Sequence, residues 1–163
     1  MSVNYQLYSE TKEDVLDFHA EAERHLEKGI EVLGQGNILS ALYHFEKAFN
    51  TENSPLINSY YAFCIAKERG QFSKAISLCK EAISKEPQNP LLYLNLGRIY
   101  HLSSKKADAV QILREGLKFE VNQQIIDELT RLGTRKQPII PFLKRSNILN
   151  KYIGIVLKKL RLR

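Results

Sequence analysis

The chain repeats itself every 34 residues. Three stretches, beginning at Ala22, Leu56 and Pro90, align without a gap. Ala41, Ala75 and Ala109 fall in one column, and Ala48, Ala82 and Gly116 in a second. Phe45, Cys79 and Leu113 share a third, and Gly36, Gly70 and Ser104 a fourth. A fixed period of this length marks a supersecondary unit that cannot bury its apolar face alone and must stack on its neighbours.

Each unit reads as two helices. The first runs about 14 residues and stops at Gly36, Gly70 or Ser104, a turn that favours glycine because positive φ is open to it. The second carries apolar residues at helical spacing: Leu42, Phe45 and Phe49; then Ile76, Cys79 and Ile83; then Val110, Leu113 and Leu117. Pro55, Pro87 and Pro90 stop one helix and start the next. The small residues of the alanine columns leave room for one helix backbone to approach another.

This pattern resembles the tetratricopeptide repeat. The third unit carries the motif most fully, in Tyr93, Leu96, Gly97, Tyr100, Ala109 and Leu113. The second keeps Ala62, Gly70, Phe72, Ala75, Ala82 and Pro87, and departs at Phe63, where the family has a small residue. The first keeps Gly29, Gly36, Ala41, Phe45 and Ala48, and departs at Lys28 and Asn53. The resemblance covers residues 22–123. It implies an all-α, superhelical helix–turn–helix array, with a capping helix and a C-terminal amphipathic helix added from the flanking sequence.

The flanks complete this organisation. Residues 1–21 extend the first helix, with Thr11 as a cap and Asp14 three residues on. Residues 22–55, 56–89 and 90–121 are the three repeats. Residues 122–133 form a capping helix that starts at Asn122, turns Ile125, Ile126, Leu129 and Leu132 to one side, and ends at Gly133. Residues 134–147 are an extended tether holding Pro138 and Pro141, and residues 148–163 a basic amphipathic helix.

No catalytic constellation accompanies the repeats. The chain has no glycine-rich phosphate loop, no GxSxG elbow and no metal motif. Cys64 and Cys79 match no zinc spacing, and His19, His25, His44 and His101 form no close ligand pair. The chain is read as no enzyme, with no cofactor and no metal. The polar, acidic N-terminus lacks the form of a secretory signal, and no apolar run reaches the roughly 20 residues of a membrane span. A cytoplasmic location is the expectation.

The resemblance implies a concave groove lined by the first helix of each repeat, where a protein or peptide ligand binds. Matching by position, the groove holds Glu23, Leu26, Glu27, Ile30 and Leu33 from the first repeat. The second contributes Ile57, Tyr60, Tyr61, Cys64 and Lys67, and the third Leu91, Leu94, Asn95, Arg98 and His101. One family subtype grips chaperone C-termini with a Lys/Asn/Arg clamp. Here Glu23, Glu27 and Tyr61 occupy clamp positions and only Asn95 fits, which disfavours that ligand. A tyrosine at Tyr60 or Tyr61 either anchors a ligand or packs between helices.

Charge is uneven. Residues 131–163 hold ten Lys/Arg and no Asp or Glu, while residues 1–130 hold 14 and 18, so +10 and −4 give the net +6. In the last helix Ile148, Leu149, Tyr152, Ile153, Ile155, Val156 and Leu160 share one broad face. Asn150, Lys151, Lys158 and Arg161 lie opposite. Three occupants compete for this face, named here by Tyr152, Ile153, Val156, Leu160, Lys151 and Lys158. The favoured one is protein: the chain's own array, or a second copy in a homodimer. An anionic membrane surface ranks second. Nucleic acid is unfavoured, because only Phe142 and Tyr152 in the tail could stack on bases. Burial of six large aliphatic side chains is worth on the order of 10 kcal/mol, which favours a dry partner. The 14-residue tether reaches ~45 Å, and three stacked helix pairs span about 30 Å.

Overall fold

The computed structural model describes residues 12–133, and side chains from Asp17 onward. The tether, the C-terminal helix and the Thr11 cap assigned from sequence lie outside the described residues. Those described form seven α-helices: α1 (Lys12–Gly34), α2 (Ile38–Thr51), α3 (Pro55–Arg69), α4 (Phe72–Lys85), α5 (Pro90–Leu102), α6 (Lys106–Gly116) and α7 (Gln123–Arg131). Strands are absent among them.

Local chemistry sets the boundaries. Pro55 and Pro90 stand at the first turns of α3 and α5, where a missing N–H costs nothing. Asn37, Asn89 and Asn122 each accept a hydrogen bond from a first-turn amide, those of Ser40, Leu91 and Ile125, which satisfies a donor the helix leaves open. The turns within repeats use left-handed backbone at Gly36 (φ 82) and Gly70 (φ 64). Ser104 takes the same conformation (φ 62), which costs a residue with a Cβ about 1 kcal/mol or more.

Helices pair within each repeat, α1 with α2, α3 with α4 and α5 with α6, and each pair packs on the next. The first helices also pack along one another, α3 on α5 and α5 on α7, whereas α2, α4 and α6 do not. By the family resemblance this first-helix layer is the concave one.

The core is continuous through the repeats. Ala41, Ala75 and Ala109 are fully buried, and so are Phe45, Cys79 and Leu113. In the first and third repeats the helix pair closes on a glycine. A Cβ on Gly29 would lie 2.5 Å from the Phe45 ring, and one on Gly97 would lie 2.5 Å from Leu113 Cγ and Cδ2. The second repeat has Phe63 where the others have glycine, and Cys79 where they have Phe45 and Leu113. The bulk has crossed from the second helix to the first, and both residues remain in one buried cluster. This volume exchange explains how Phe63 is tolerated at a position that wants a small residue. Gly116, where the other repeats have alanine, answers another close approach: a Cβ there would meet Tyr93 Cβ at 2.7 Å.

Candidate functional site: the concave face of the first helices

The 34-residue register places three columns along the first helices. Glu23, Ile57, Leu91 and Ile125 form one; Leu26, Tyr60, Leu94 and Glu128 the next; Ile30, Cys64, Arg98 and Leu132 the third. Residues three or four apart on a helix share a face, so each helix contributes a continuous stripe. The columns reach α7, so Ile125, Glu128 and Leu132 join a face that the sequence reading ended at α5. The signal that finds them is the register itself.

Exposure changes along this face. At α1, Glu23 and Glu27 are exposed, Leu26 and Leu33 are half-buried, and Ile30 is 39% exposed. At α3, Ile57, Tyr60 and Cys64 are buried, and α3 is buried at every position from 57 to 66. At α5, Leu94 is buried while Leu91 and Arg98 are half-buried. At α7 all three column residues are buried.

Two residues assigned to the groove turn elsewhere. Tyr61 stacks on Phe49 of α2, with ring centroids 4.6 Å apart. Its hydroxyl donates to Glu46 Oε1 at 3.4 Å, and Lys74 Nζ stands 5.9 Å from its ring centroid. It belongs to the seam of α2, α3 and α4, because Phe49 and Glu46 supply a flat face and an acceptor there. Asn95 ties α5 to α3: its Nδ2 donates to Ser59 Oγ at 3.0 Å, wholly buried. Tyr60 packs between helices. Its ring stacks on Phe45 at 5.0 Å, and its phenol is pushed up by burial and pulled back by the Arg98 charge.

A cationic cluster crosses the face between α3 and α7. The Arg98 guanidinium lies over the Phe63 ring at 5.5 Å, and Lys67 Nζ stands 5.9 Å from the same ring. Burial holds Arg98 below its ordinary value, with Arg131 adding to the effect and the Glu128 and Tyr60 charges opposing it. Glu128, with 7% of its side chain exposed, accepts from His101 Nδ1 at 3.0 Å and stands 3.6 Å from Arg131. A buried carboxylate of this kind is tolerated because it is paired and hydrogen-bonded. The arrangement presents apolar surface, one desolvated cation and, at α1, exposed carboxylates. It offers shape and charge to a ligand.

The thiols are inert. Burial pushes Cys64 up to about 12, the Glu68 charge adding to it and Lys67 opposing. Burial pushes Cys79 still higher. Among the described residues no group of three or more His, Cys, Asp or Glu is placed to hold a metal ion, and no helix is long and apolar enough to cross a membrane. A cleft of about 370 Å³ opens between α4 and α6 over Tyr93, Leu96 and Tyr100; it holds none of the concave-column residues.

Comparison with known proteins agrees with this geometry. A tetratricopeptide-repeat family model matches residues 66–130, from the end of α3 through α7. The TPR repeat-containing protein MJ0941 of Methanocaldococcus jannaschii is 26% identical over 83 residues, 51% of this chain and 25% of that protein. The chain thus spans about a quarter of the length of the curated relative it matches. Among solved structures, the second TPR domain of human RPAP3 in complex with the HSP70 peptide SGPTIEEVD is 18% identical. It superposes with a TM-score of 0.54 over 72% of this chain and 99% of that one. The first TPR of Spaghetti (RPAP3) bound to the HSP90 peptide SRMEEVD is 21% identical, with a TM-score of 0.55 over 70% and 94%. The Arabidopsis OM64 TPR domain is 19% identical, with a TM-score of 0.56 over 71% and 97%. At these identities the likeness is one of fold. Residues 66–130 match the tetratricopeptide-repeat family, and the described residues have the fold of a tetratricopeptide-repeat array.

Proposed function

We propose that this protein is a non-enzymatic, cytoplasmic adaptor or assembly factor whose concave face takes up a helical segment of a partner protein. The observation that carries the reading is the run of three mainly apolar columns across α1, α3, α5 and α7. An amphipathic helix laid in a groove uses such a surface, anchoring at i, i+3 and i+7. The acidic peptides seen on the RPAP3 domains suit this face poorly. Its exposed charges at α1 are the carboxylates of Glu23, 3.4 Å from His19 Nε2, and Glu27, which disfavour an acidic chain end.

The C-terminal stretch belongs to the same reading. Residues 148–160 have the composition of a groove ligand and dock on their own array or on a second copy. The test is a selection of helical peptides against the full chain. Binders are expected that lose at least tenfold in affinity when Leu26 and Ile30 become Asp, with the circular dichroism unchanged. A selection that yields none, or binders indifferent to both changes, removes the reading.

A second reading rests on the basic face of the same stretch, with anchoring to an anionic membrane surface. Co-sedimentation with phosphatidylserine liposomes, with and without residues 134–163, tests it. Failure of the intact chain to sediment at both low and high salt sinks it.

A further inference from the structure

We propose that the cleft between α4 and α6 is a second docking site, which takes an aromatic side chain flanked by carboxylates from an acidic segment of a partner protein. It lies apart from the concave columns and does not depend on the reading of that face.

The first observation is the cleft itself. The second helices α4 and α6 do not pack on one another, and Tyr93, Leu96 and Tyr100 of α5 floor the gap between them. Ile83 and Ile112 line its sides. Phe119, 47% exposed, adds an aromatic edge, its ring centroid 5.5 Å from that of Tyr93. The Tyr93 hydroxyl already donates to the Pro87 carbonyl at 2.8 Å, so the floor offers ring surface and not that phenol. A volume of about 370 Å³ lies in the size range of ligand clefts.

The second observation is the equivalent seam one repeat earlier, which is covered. Glu46 and Phe49 of α2 stand in the columns of Lys80 and Ile83. There the Tyr61 ring stacks on Phe49 at 4.6 Å and its hydroxyl donates to Glu46. Glu46 also accepts from Arg69 at 3.1 and 3.2 Å. A ring and a carboxylate thus close that seam. Between α4 and α6, Asn95 replaces Tyr61 and turns inward to Ser59, Lys80 replaces Glu46, and Ser103 replaces Arg69. The apolar side remains in Ile83, while the ring and the carboxylate that would cover it are missing. A partner can supply both.

The third observation is charge. Lys80 and Lys118 line the cleft and are exposed. Among the described residues neither has an ion-pair or hydrogen-bond partner. Glu115 is the one carboxylate among the described lining residues, so the cations outnumber it. An aromatic anchor in such a cleft supplies affinity, and opposite charge around it supplies selection.

Titration of the isotope-labelled full chain with the acetylated, amidated peptide DDFDD, followed by amide NMR, tests this. The peptide is expected to shift the signals of Ile83, Tyr100 and Ile112 along saturating curves, with an affinity that falls as salt is added. Removing its ring, in DDADD, should weaken binding about tenfold. Reversing its charge, in KKFKK, should weaken it about tenfold as well. Lys80→Glu with Lys118→Glu should lower the affinity for DDFDD about tenfold and make KKFKK the better ligand. Lys47→Glu with Lys105→Glu changes net charge equally outside the cleft lining, and should leave the affinity as it was. Circular dichroism and Tm check the fold of each variant. If the first pair unfolds, the DDADD and KKFKK comparisons on the unaltered chain decide.

No saturable shift of the cleft signals overturns the proposal, and so do shifts confined to the concave columns. Equal binding of DDADD or KKFKK overturns it, because the cleft then selects neither ring nor charge. Undiminished binding to the Lys80 and Lys118 variant, or equal weakening by the Lys47 and Lys105 pair, does the same. If the cleft signals move when the chain alone is concentrated, a second copy is the occupant and the proposal also falls. None of these outcomes touches the helix-binding reading, whose test rests on Leu26 and Ile30.

Discussion

Gly29 lies against Phe45 and Gly97 against Leu113, whereas the second repeat sets Phe63 and Cys79 in the same two places. The outer pairs put all the bulk on the second helix and let the first approach to backbone contact. The middle pair divides the bulk the other way. Each fills the space between its helices, so the requirement is on the sum of two side chains and not on either one. The exchange also has a second effect in the middle repeat. It places an aromatic ring where Arg98 and Lys67 lie over it, and so contributes to the concave face as well as to the core.

The largest expected effect comes from removing bulk that has no substitute. Phe45→Ala leaves Gly29 facing empty space and removes the Tyr60 stack. It should cost about 3–5 kcal/mol in urea or thermal unfolding. Adding bulk comes next. Gly97→Ala sets a methyl 2.5 Å from Leu113, and Cys79→Leu crowds Phe63; each should cost about 1–3 kcal/mol. A loss under half a kilocalorie in either would mean that the pairs adjust independently, which breaks the comparison.

Transplanting the middle pair sharpens it. Gly97→Phe with Leu113→Cys should be more stable than the sum of the single changes, with a coupling of about 0.5–3 kcal/mol in a double-mutant cycle. Additive losses would show that the exchange seen in the second repeat depends on its other neighbours. The smallest effect tests the turns. Ser104→Gly relieves a left-handed serine where the other two repeats already have glycine. The gain should be roughly 0.5 kcal/mol after the extra entropy of glycine is subtracted, visible as a slightly higher Tm.

Much of the array was legible because its motif residues answer to geometry. Glycine marks the left-handed turns, proline and asparagine the helix starts, and the alanine columns the close helix contacts. The concave columns on α3 and α5 followed from the same period. Their continuation onto α7 did not, and the reason is mechanical. The motif columns that follow Leu96, Gly97 and Tyr100 fall on Thr130, Arg131 and Thr134, so the visible signature stops. Those columns face a second helix, and α7 is the last described helix. The groove columns answer to a ligand surface and persist in Ile125, Glu128 and Leu132. Tyr61 was misplaced for another reason: position in a repeat gives the direction of Cβ, while Phe49 and Glu46 decide where the ring goes.

The glycine–bulk and ring–thiol pairs also act as an address. Identical repeats invite a chain to fold one unit out of step, or two chains to trade helices. Here α3 laid on α6 would drive Phe63 into Leu113, and α5 laid on α4 would leave a hole between Gly97 and Cys79. Both errors cost volume, one by collision and one by vacancy, while the first and third repeats remain interchangeable by this rule. Mispairing is therefore penalised at the centre of the array, where a slip would propagate in both directions.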